Sequence, residues 1–280
     1  MKAVCYAIVM VFLFLCLFGC GNEQNNDYAE KETITPAKID ILKIGKADCI
    51  VINTGNEIVM IDTGEEENLN KIHSYMQKNG YTKVDTLIVT HYDKDHIGGA
   101  ADIIAKYNVS TVIESSFTSS SLYYLNYHSL IEEKGISLLK LKENYSFARD
   151  SCSFQINIPK KEKYSTKEDN NSSLVISMEI GNRRFLFCGD AMELRLRELI
   201  EEGIGHYDFV KLPYHGRYLE NYDEFLNMVK PTYGAITCSN KNPASEDVLS
   251  LLQRCETEVY QTRDGEINVL TDGTKLKISQ

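Results

Sequence analysis

Short runs of apolar and β-branched residues recur along the chain from residue 39 onward. Runs of this length, separated by polar or glycine-containing turns, are typical of β-strands. The pattern predicts strands at 39–44, 49–53, 57–62, 84–90, 110–114, 136–141, 152–158, 174–180, 184–188, 207–212 and 233–238, with short closing strands near Val259, Ile267 and Leu276. Residues 84–90 are almost continuously apolar, which indicates a strand buried on both faces.

Between the strands, apolar residues spaced three or four positions apart predict helices. The predicted helices lie near 69–76, 97–107, 192–200, 225–229 and 248–255. Asn242-Pro243 has the residue types of an N-cap and a first helical position, so we expect the last helix to begin there. Because no linker-like gap or fixed-period repeat interrupts 38–280, the pattern predicts one domain, a mixed α/β or α+β sandwich.

The first residues have the pattern of a secretory signal peptide. A charged start precedes an uncharged apolar run at 3–18, which is shorter than the ~20 residues that span a bilayer as a helix. Leu17-Phe18-Gly19-Cys20 resembles the lipobox of bacterial lipoproteins, which implies removal of 1–19 and lipid attachment at Cys20; an uncut N-terminal anchor is the alternative. Both the cleaved, lipid-attached form and the uncut form place the rest of the chain on the extracytoplasmic face of the cell membrane. The polar residues 20–37 predict a flexible stalk.

Composition and charge narrow the classes of function. The chain has 280 residues, 43% hydrophobic and 25% charged, which excludes a disordered protein, a collagen-like fibre and a coiled coil. Its formal charge of −10 means that its overall field does not attract polyanions, so an anionic substrate needs a local cation. The cysteines beyond the leader form no CxxC pair and are expected to be small buried residues: Cys49, Cys152, Cys188, Cys238 and Cys255.

One short segment concentrates groups that can bind metal. Within six residues, where the predicted buried strand 84–90 ends and a Gly-Gly pair leads into a helix, stand His91, Asp93, Asp95 and His96. Two imidazoles and two carboxylates suit a divalent ion such as zinc or manganese. Without a partner, these groups would be costly to bury. We therefore predict a metal-binding loop in preference to a charged surface loop.

This loop resembles the metal loop of the metallo-β-lactamase superfamily, in the variant whose second His is replaced by Asp. Three further segments resemble other motifs of the family and occur in the same order. One precedes the loop, Ile61-Asp62-Thr63-Gly64, and two follow it, Phe187-Cys188-Gly189-Asp190 and Leu212-Pro213-Tyr214-His215-Gly216. Residues 170–175 and 262–267 resemble the extracellular hydrolase domain of ComEC-type DNA-uptake (competence) proteins and their stand-alone relatives. The resemblance implies an α+β fold over 38–280, a four-layer αββα sandwich of two mixed β-sheets flanked by helices.

The resemblance also implies a centre for two divalent ions, zinc or manganese. When the family's metal ligands are transferred to the matching positions of this chain, His91 and Asp93 bind the first ion, and Asp95, His96 and His215 bind the second. Asp190 lies between the two ions. The family's third His on the first ion has no counterpart here. Asn171 or Ser172 stands near that place, and their oxygens are poorer zinc ligands, which favours manganese.

Other residues receive roles from the same resemblance. Asp62 is expected to accept a hydrogen bond that orients the metal loop, and Asp95 to hold or relay a proton of the attacking water. Independently of the resemblance, the side chains of Tyr214 and Arg217 are expected to stabilise charge on a phosphate; ordinary exposed loop side chains are the alternative. Three segments depart from the ComEC pattern: Gly45-Lys46-Ala47-Asp48, Tyr214-His215-Gly216-Arg217 and Asn242-Pro243.

The function implied is that of a metal-dependent hydrolase, a phosphodiesterase or nuclease that uses a metal-bridging hydroxide. Its substrate would be a short nucleic acid or a small phosphodiester. Two alternatives stay open: hydrolysis of a carboxylester, lactone or lactam on the same fold, and a non-catalytic binding lipoprotein with a degenerate metal site. The sequence leaves the oligomeric state and the biological pathway undefined.

Overall fold

A computed structural model describes residues 34–280. The predicted signal peptide, Cys20 and most of the predicted stalk lie outside the described residues. Within 34–280, no helix combines the length and apolar character needed to cross a membrane. The described residues form two β-sheets, each with helices on one face.

The first sheet has eight strands in the spatial order β15-β14-β1-β2-β3-β4-β5-β6. Its strands are β1 Ala37–Ile41, β2 Ile50–Asn53, β3 Ile58–Ile61, β4 Lys83–Val89, β5 Asn108–Ser115, β6 Ser137–Leu141, β14 Ile267–Thr271 and β15 Leu276–Ser279. Strands β3 to β6 pair in parallel and the others pair antiparallel, so the sheet is mixed. The parallel strands end at one common edge, where the predicted metal loop follows β4.

The second sheet has seven strands in the order β13-β12-β11-β10-β9-β8-β7. They are β7 Tyr145–Arg149, β8 Cys152–Asn157, β9 Val175–Ile180, β10 Arg183–Phe187, β11 Phe209–Lys211, β12 Tyr233–Ile236 and β13 Glu258–Gln261. Strands β10 to β13 are parallel, and β7 to β10 are antiparallel. Two loops that follow β10 and β11 carry the later predicted ligands.

Eight helices complete the described part of the chain. They are α1 Leu69–Lys78, α2 Lys94–Ile97, α3 Ala100–Lys106, α4 Leu122–Lys134, α5 Glu168–Asn171, α6 Glu193–Glu202, α7 Tyr222–Val229 and α8 Glu246–Arg254. Two 3₁₀ turns lie at Glu66–Asn68 and Pro213–Gly216.

Three apolar clusters order these elements into four layers. Inward-facing residues of both sheets, including Ile39, Ile88 and Phe185, form the central cluster. The outer face of the first sheet packs against α1 to α4, and that of the second sheet packs against α6 to α8. The arrangement confirms the predicted αββα sandwich of two mixed sheets.

Two helices and one strand were not predicted, and the predicted start of the last helix is wrong. Helix α4 exposes Leu122 and Leu125, so its apolar residues form no single stripe, α5 has only four residues, and β7 is a short edge strand. The last helix does not begin at Asn242-Pro243. It begins at Glu246, because Ser245 is the N-cap and its hydroxyl accepts a hydrogen bond from the Asp247 amide at 3.3 Å.

The five cysteines within the described residues are free thiols, and four of them are buried in the apolar layers. Cys255 is partly exposed. Burial raises the pKa of the Cys188 thiol to about 12, which keeps it protonated. Four cysteines are therefore small buried residues as predicted, and Cys255 is less buried than predicted.

Candidate metal centre

The loop between β4 and α3 is held by backbone contacts with two neighbouring segments. The Thr63 amide donates to the His96 carbonyl at 2.8 Å, and the Asp48 amide donates to the Asp95 carbonyl at 3.0 Å. A Cβ atom at Gly99 would lie 2.5 Å from the Thr63 carbonyl oxygen, so only glycine permits this approach. The Gly-Gly pair therefore divides the predicted helix 97–107 into α2 and α3 and brings the loop against the strand end.

The second sheet contributes two side chains from loops at its own strand ends. Asp190 follows β10 through Gly189, and the 3₁₀ turn after β11 carries His215. Tyr214 and His215 both have positive φ angles, 49° and 52°, a conformation that costs non-glycine residues about 1–3 kcal/mol each. Tertiary contacts maintain this turn, including a hydrogen bond from the Tyr214 amide to the Gly189 carbonyl.

Four buried side chains from the two sheets converge on one point. Asp95, His96, Asp190 and His215 each offer one ligand atom, and these atoms all lie within 4.8 Å of one another. His215 Nε2 is 3.1 Å from Asp95 Oδ2 and 3.0 Å from Asp190 Oδ2, and His96 Nε2 is 3.4 Å from Asp190 Oδ1. The fold therefore brings together side chains that are far apart in the sequence.

His91 and Asp93 extend this group on one side. The imidazole rings of His91 and His96 have centroids 4.0 Å apart, and His91 Nε2 lies 3.7 Å from Asp93 Oδ2. We call the six residues the histidine–aspartate cluster: His91, Asp93, Asp95, His96, Asp190 and His215. The structure thus places all six predicted ligand side chains in one region.

Asn171 and Ser172 do not face the cluster, which corrects their expected position. The Asn171 side chain donates to the Thr166 carbonyl and accepts from the Arg195 amide, and the Ser172 hydroxyl donates to the Asp169 carbonyl. Their neighbour Asn170 faces the cluster instead. Successive residues of a helical turn such as α5 point about 100° apart, so an offset of one residue decides which side chain reaches the site.

Each imidazole is oriented by a partner on its Nδ1 atom. Asp62 Oδ2 lies 2.7 Å from His96 Nδ1 and also accepts from the Thr90 hydroxyl at 2.7 Å. Thr90 Oγ1 lies 3.0 Å from His91 Nδ1, and Thr237 Oγ1 lies 3.1 Å from His215 Nδ1. All three Nε2 atoms are therefore turned toward the cluster. Sequence reasoning selected Asp62 and missed both threonines, because a threonine at a strand end carries no distinguishing signal.

The cluster has the properties of a divalent cation site. Among the described residues, His91 Nε2, His96 Nε2 and Asp190 Oδ1 are buried without a hydrogen-bond partner. Leaving such atoms unpaired in a protein interior is costly. A divalent cation would satisfy them together, and a mixture of imidazole and carboxylate ligands suits zinc or manganese.

Strong electrostatic coupling accompanies this geometry. Burial favours the neutral form of Asp190, but the His215 and His96 imidazoles outweigh burial and hold the pKa of this carboxyl well below its usual value. Burial likewise opposes protonation of His96, but the Asp190 and Asp62 carboxylates outweigh it and raise the pKa of His96 well above its usual value. The cationic and anionic groups of the cluster therefore stabilise each other.

Two lysines contact the cluster, and they differ in accessibility. Lys211 is fully buried, forms an ion pair with the buried Asp48 and lies 3.9 Å from Asp190 Oδ1. Lys46 forms an ion pair with Asp95, and 31% of its side chain is exposed. Asp48 is also buried beside the imidazoles, with Oδ1 3.7 Å from His215 Nδ1. Lys46 therefore offers a solvent-accessible positive charge at the cluster.

Tyr214 and Arg217 lie on the turn that carries His215. The Arg217 guanidinium stacks over the Tyr214 ring at 5.5 Å, with Tyr214 half-buried and Arg217 exposed. Within residues 34–280, neither side chain forms an ion pair or hydrogen bond with a cluster residue. The structure places them beside the site, and their predicted contact with substrate stays a prediction.

Comparisons with known proteins agree with this fold. Residues 43–239 match the family described as the Metallo-beta-lactamase superfamily. ComE operon protein 3 of Bacillus subtilis is 25% identical over 281 residues, covering 92% of this chain and 34% of the relative. Recombination protein 2 of Haemophilus influenzae is 25% identical over 253 residues, covering 87% of this chain and 30% of the relative. The chain thus spans about a third of the length of these relatives.

Solved structures show the same architecture at low sequence identity. The metallo-beta-lactamase fold protein YhfI from Bacillus subtilis has a TM-score of 0.58 and 10% identity, covering 87% of this chain and 100% of that chain. A putative metal-dependent hydrolase from Parabacteroides distasonis has a TM-score of 0.50 and 12% identity, covering 79% of this chain and 90% of that chain. Since the family match covers most of the chain and the layers agree, this protein belongs to the metallo-β-lactamase superfamily of hydrolases.

Proposed function

We propose that this protein is a phosphodiesterase or nuclease that acts outside the cytoplasmic membrane, tethered through lipid on Cys20. The observation that carries the catalytic part is the convergence of the histidine–aspartate cluster, with unpartnered imidazole nitrogens turned inward. The tether rests on the sequence of residues 1–20, which lie outside the described residues. The predicted division into leader 1–19, stalk 20–37 and hydrolase domain 38–280 belongs to the same proposal.

The proposed cofactors are two divalent ions, zinc or manganese. His91 and Asp93 would hold one ion, Asp95, His96 and His215 the other, and Asp190 would lie between them. Bound ions of this kind act as Lewis acids and lower the pKa of a coordinated water from ~15.7 to ~7. The six side chains supply both nitrogen and oxygen ligands within reach of one another.

The chain's own groups have separate tasks in this proposal. Asp62, Thr90 and Thr237 orient the imidazoles through their Nδ1 atoms. Asp95 Oδ2 lies 3.1 Å from His215 Nε2, among the inward-facing ligand atoms, so its carboxylate would stand where it can hold or accept a proton during hydrolysis. Five of the six cluster side chains are buried, which strengthens these interactions, and Asp93 is partly exposed on the side that solvent reaches.

Two lines of support favour an anionic phosphodiester over a neutral ester. Lys46 provides a local, accessible cation at Asp95 in a protein with a net charge of −10. The resemblance to ComEC-type proteins, together with the relatives named ComE operon protein 3 and Recombination protein 2, points to nucleic acid or a related phosphodiester. Tyr214 and Arg217 would contact the substrate at the rim of the site.

Replacing His96 by Ala tests the proposal. Because His96 is both a cluster residue and the partner of Asp62, we expect His96→Ala to reduce hydrolysis of bis-p-nitrophenyl phosphate by the metal-loaded full chain at least ~100-fold. His73→Ala is the matched control, since His73 contacts Tyr107 and Asp102 and takes no part in the cluster.

Circular dichroism of both variants establishes that the fold is intact. Undiminished hydrolysis by His96→Ala would refute the assignment of the site. Hydrolysis of p-nitrophenyl acetate without any hydrolysis of the phosphodiester would instead favour the carboxylester alternative. A wild-type protein that binds no metal and hydrolyses neither substrate would favour the non-catalytic alternative.

A further inference from the structure

The amide of Asn170 lies between two carboxylates of the histidine–aspartate cluster. Its Nδ2 atom donates to Asp93 Oδ2 at 3.1 Å and to Asp190 Oδ2 at 3.4 Å. The residue is 9% exposed. On the same side of the cluster, His91 Nε2 is buried without a hydrogen-bond partner. An imidazole, two carboxylates and an amide therefore share one corner of the site.

Contacts on the side of the turn away from the cluster fix the backbone around Asn170. The Asn171 side chain accepts a hydrogen bond from the Arg195 amide, and the buried Arg195 guanidinium donates to the Ser173 carbonyl and forms an ion pair with Glu198. These contacts join α5 to α6 and leave the Asn170 side chain as the group that turns toward Asp93. Its position is thus a consequence of packing on the far side of the turn.

A primary amide presents a donor and an acceptor at nearly equivalent positions. Rotation of the terminal group by about 180° exchanges Nδ2 and Oδ1 with almost no change in shape. Between two carboxylates, the NH₂ end is favoured because it donates to both. With a divalent cation between them, the NH₂ end is repelled and the carbonyl oxygen is attracted.

We propose that Asn170 Oδ1 is the ligand that replaces the missing third imidazole of the first ion. This inference rests on the proposed metal centre and adds a residue to it. The first ion would then have one nitrogen ligand, His91, and three oxygen ligands, Asp93, Asp190 and Asn170. The second ion would have two imidazole ligands, His96 and His215, and two carboxylate ligands.

The two halves of the centre therefore differ in how strongly they discriminate between metals. At any one site zinc generally binds more tightly than manganese, but oxygen ligands narrow that margin and imidazole nitrogens widen it. The Asn170 half should therefore favour zinc over manganese by a smaller factor than the half that contains His96 and His215. One chain would thus hold two metal sites with different ligand sets, and Asp190 would be a ligand in both.

Metal titration of the metal-stripped full chain tests this inference without any substrate. We expect the wild type to bind two manganese ions, but only one zinc ion tightly, with the second zinc at least tenfold weaker by calorimetry and elemental analysis. Asn170→His should tighten the second zinc at least tenfold and weaken one manganese. Asn170→Ala should weaken the first-site ion of either metal.

Ser172→Ala is the matched control. It removes the hydroxyl of a neighbouring residue, which donates to the Asp169 carbonyl, but it adds no charge and leaves the contact between Asn171 and Arg195 in place, so metal affinities should stay within threefold of the wild type. If Asn170→Ala fails to fold, Asn170→Asp keeps the size and provides an anionic oxygen, and should tighten manganese.

The inference is overturned if Asn170→Ala and Asn170→His both retain wild-type affinities, or if the wild type binds a single ion of either metal. A wild type that binds the two ions as expected but hydrolyses no phosphodiester would refute the proposed function and leave the role of Asn170 intact.

Discussion

At the scale of single residues, Asp62 shows how a group that does not face the cluster centre organises it. Its backbone has φ of 58°, and its two carboxylate oxygens accept from the Thr90 amide, the Thr90 hydroxyl and His96. The carboxylate thereby aligns the end of β4 with one imidazole. The positive φ and complete burial indicate that the surrounding structure enforces this arrangement.

Replacing Asp62 by Asn tests this role. The amide keeps the size of the side chain but removes the charge that supports His96, so we expect Asp62→Asn to weaken metal binding about 10–100-fold. Metal competition with a chromophoric chelator measures the change. Asp40→Asn is the control, since Asp40 is equally buried but contacts Tyr75 and Lys38. Equal loss of affinity in both variants would show a general effect on stability instead.

At the scale of elements, the close approach of the metal loop to the strand end depends on glycine. An added Cβ atom at Gly99 would meet the Thr63 carbonyl oxygen at 2.5 Å, and one at Gly98 would meet backbone atoms of Glu65 and Glu66 at 3.0 Å. Backbone atoms cannot yield as flexible side chains do. The helical pattern at 97–107 is consequently interrupted, and α2 presents Asp95 and His96 to the second sheet.

Adding a methyl group at Gly99 should move this loop. We expect Gly99→Ala to reduce the free energy of unfolding by about 1–3 kcal/mol, through overpacking, and to weaken metal binding as well. Chemical denaturation and metal titration measure the two effects. In the control Gly265→Ala, the nearest atom is in the flexible Gln280 side chain, so both quantities should change little. A stable Gly99→Ala protein with wild-type metal affinity would contradict the prediction.

At the scale of the whole molecule, the two sheets meet at both ends of the sandwich. One end carries the cluster. At the other, Asp150 in the turn between β7 and β8 accepts from the Thr54 hydroxyl at 2.7 Å and from the Asn56 amide at 2.9 Å. Hydrogen bonds from the Asn56 backbone, Thr54 and the Asn56 side chain hold the pKa of Asp150 below its usual value. Asp150 thus connects the two sheets at the end of the sandwich opposite the histidine–aspartate cluster.

This connection predicts a dependence of stability on pH. A lowered pKa in the folded state stabilises the protein above the unfolded value near 3.8, and that contribution disappears as the pH falls through the lowered folded value. We expect Asp150→Ala to lower Tm by about 2–4 °C at pH 7 and by less at pH 3. Metal affinity should be unchanged.

Asp150→Asn keeps an acceptor oxygen without a titrating charge, so its difference in Tm from Asp150→Ala should not vary with pH. A difference between wild type and Asp150→Ala that stays constant from pH 7 to pH 3 would contradict the proposed contribution of the charge.

Sequence reasoning located the elements that have clear periodicity. The apolar run 84–90 corresponds to β4 Lys83–Val89, and the loop that follows it carries four of the cluster residues. Helix α4 escaped prediction although Ser121 and Gly135 at its ends have the residue types of caps, because its apolar residues surround the helix. Capping residues would have been the better signal there.

From the sequence, periodicity predicted a mixed α/β or α+β sandwich, and motifs that resemble the metallo-β-lactamase superfamily implied the αββα class and the six cluster residues, because periodicity and the order of short motifs are local properties of the chain. Only the tertiary structure decided that Asn170, and neither Asn171 nor Ser172, faces Asp93 and Asp190. The direction of a side chain on a short turn depends on what packs behind it, and residues distant in sequence provide that packing. The same reason applies to Lys211, whose burial beside Asp48 follows from the meeting of two sheets.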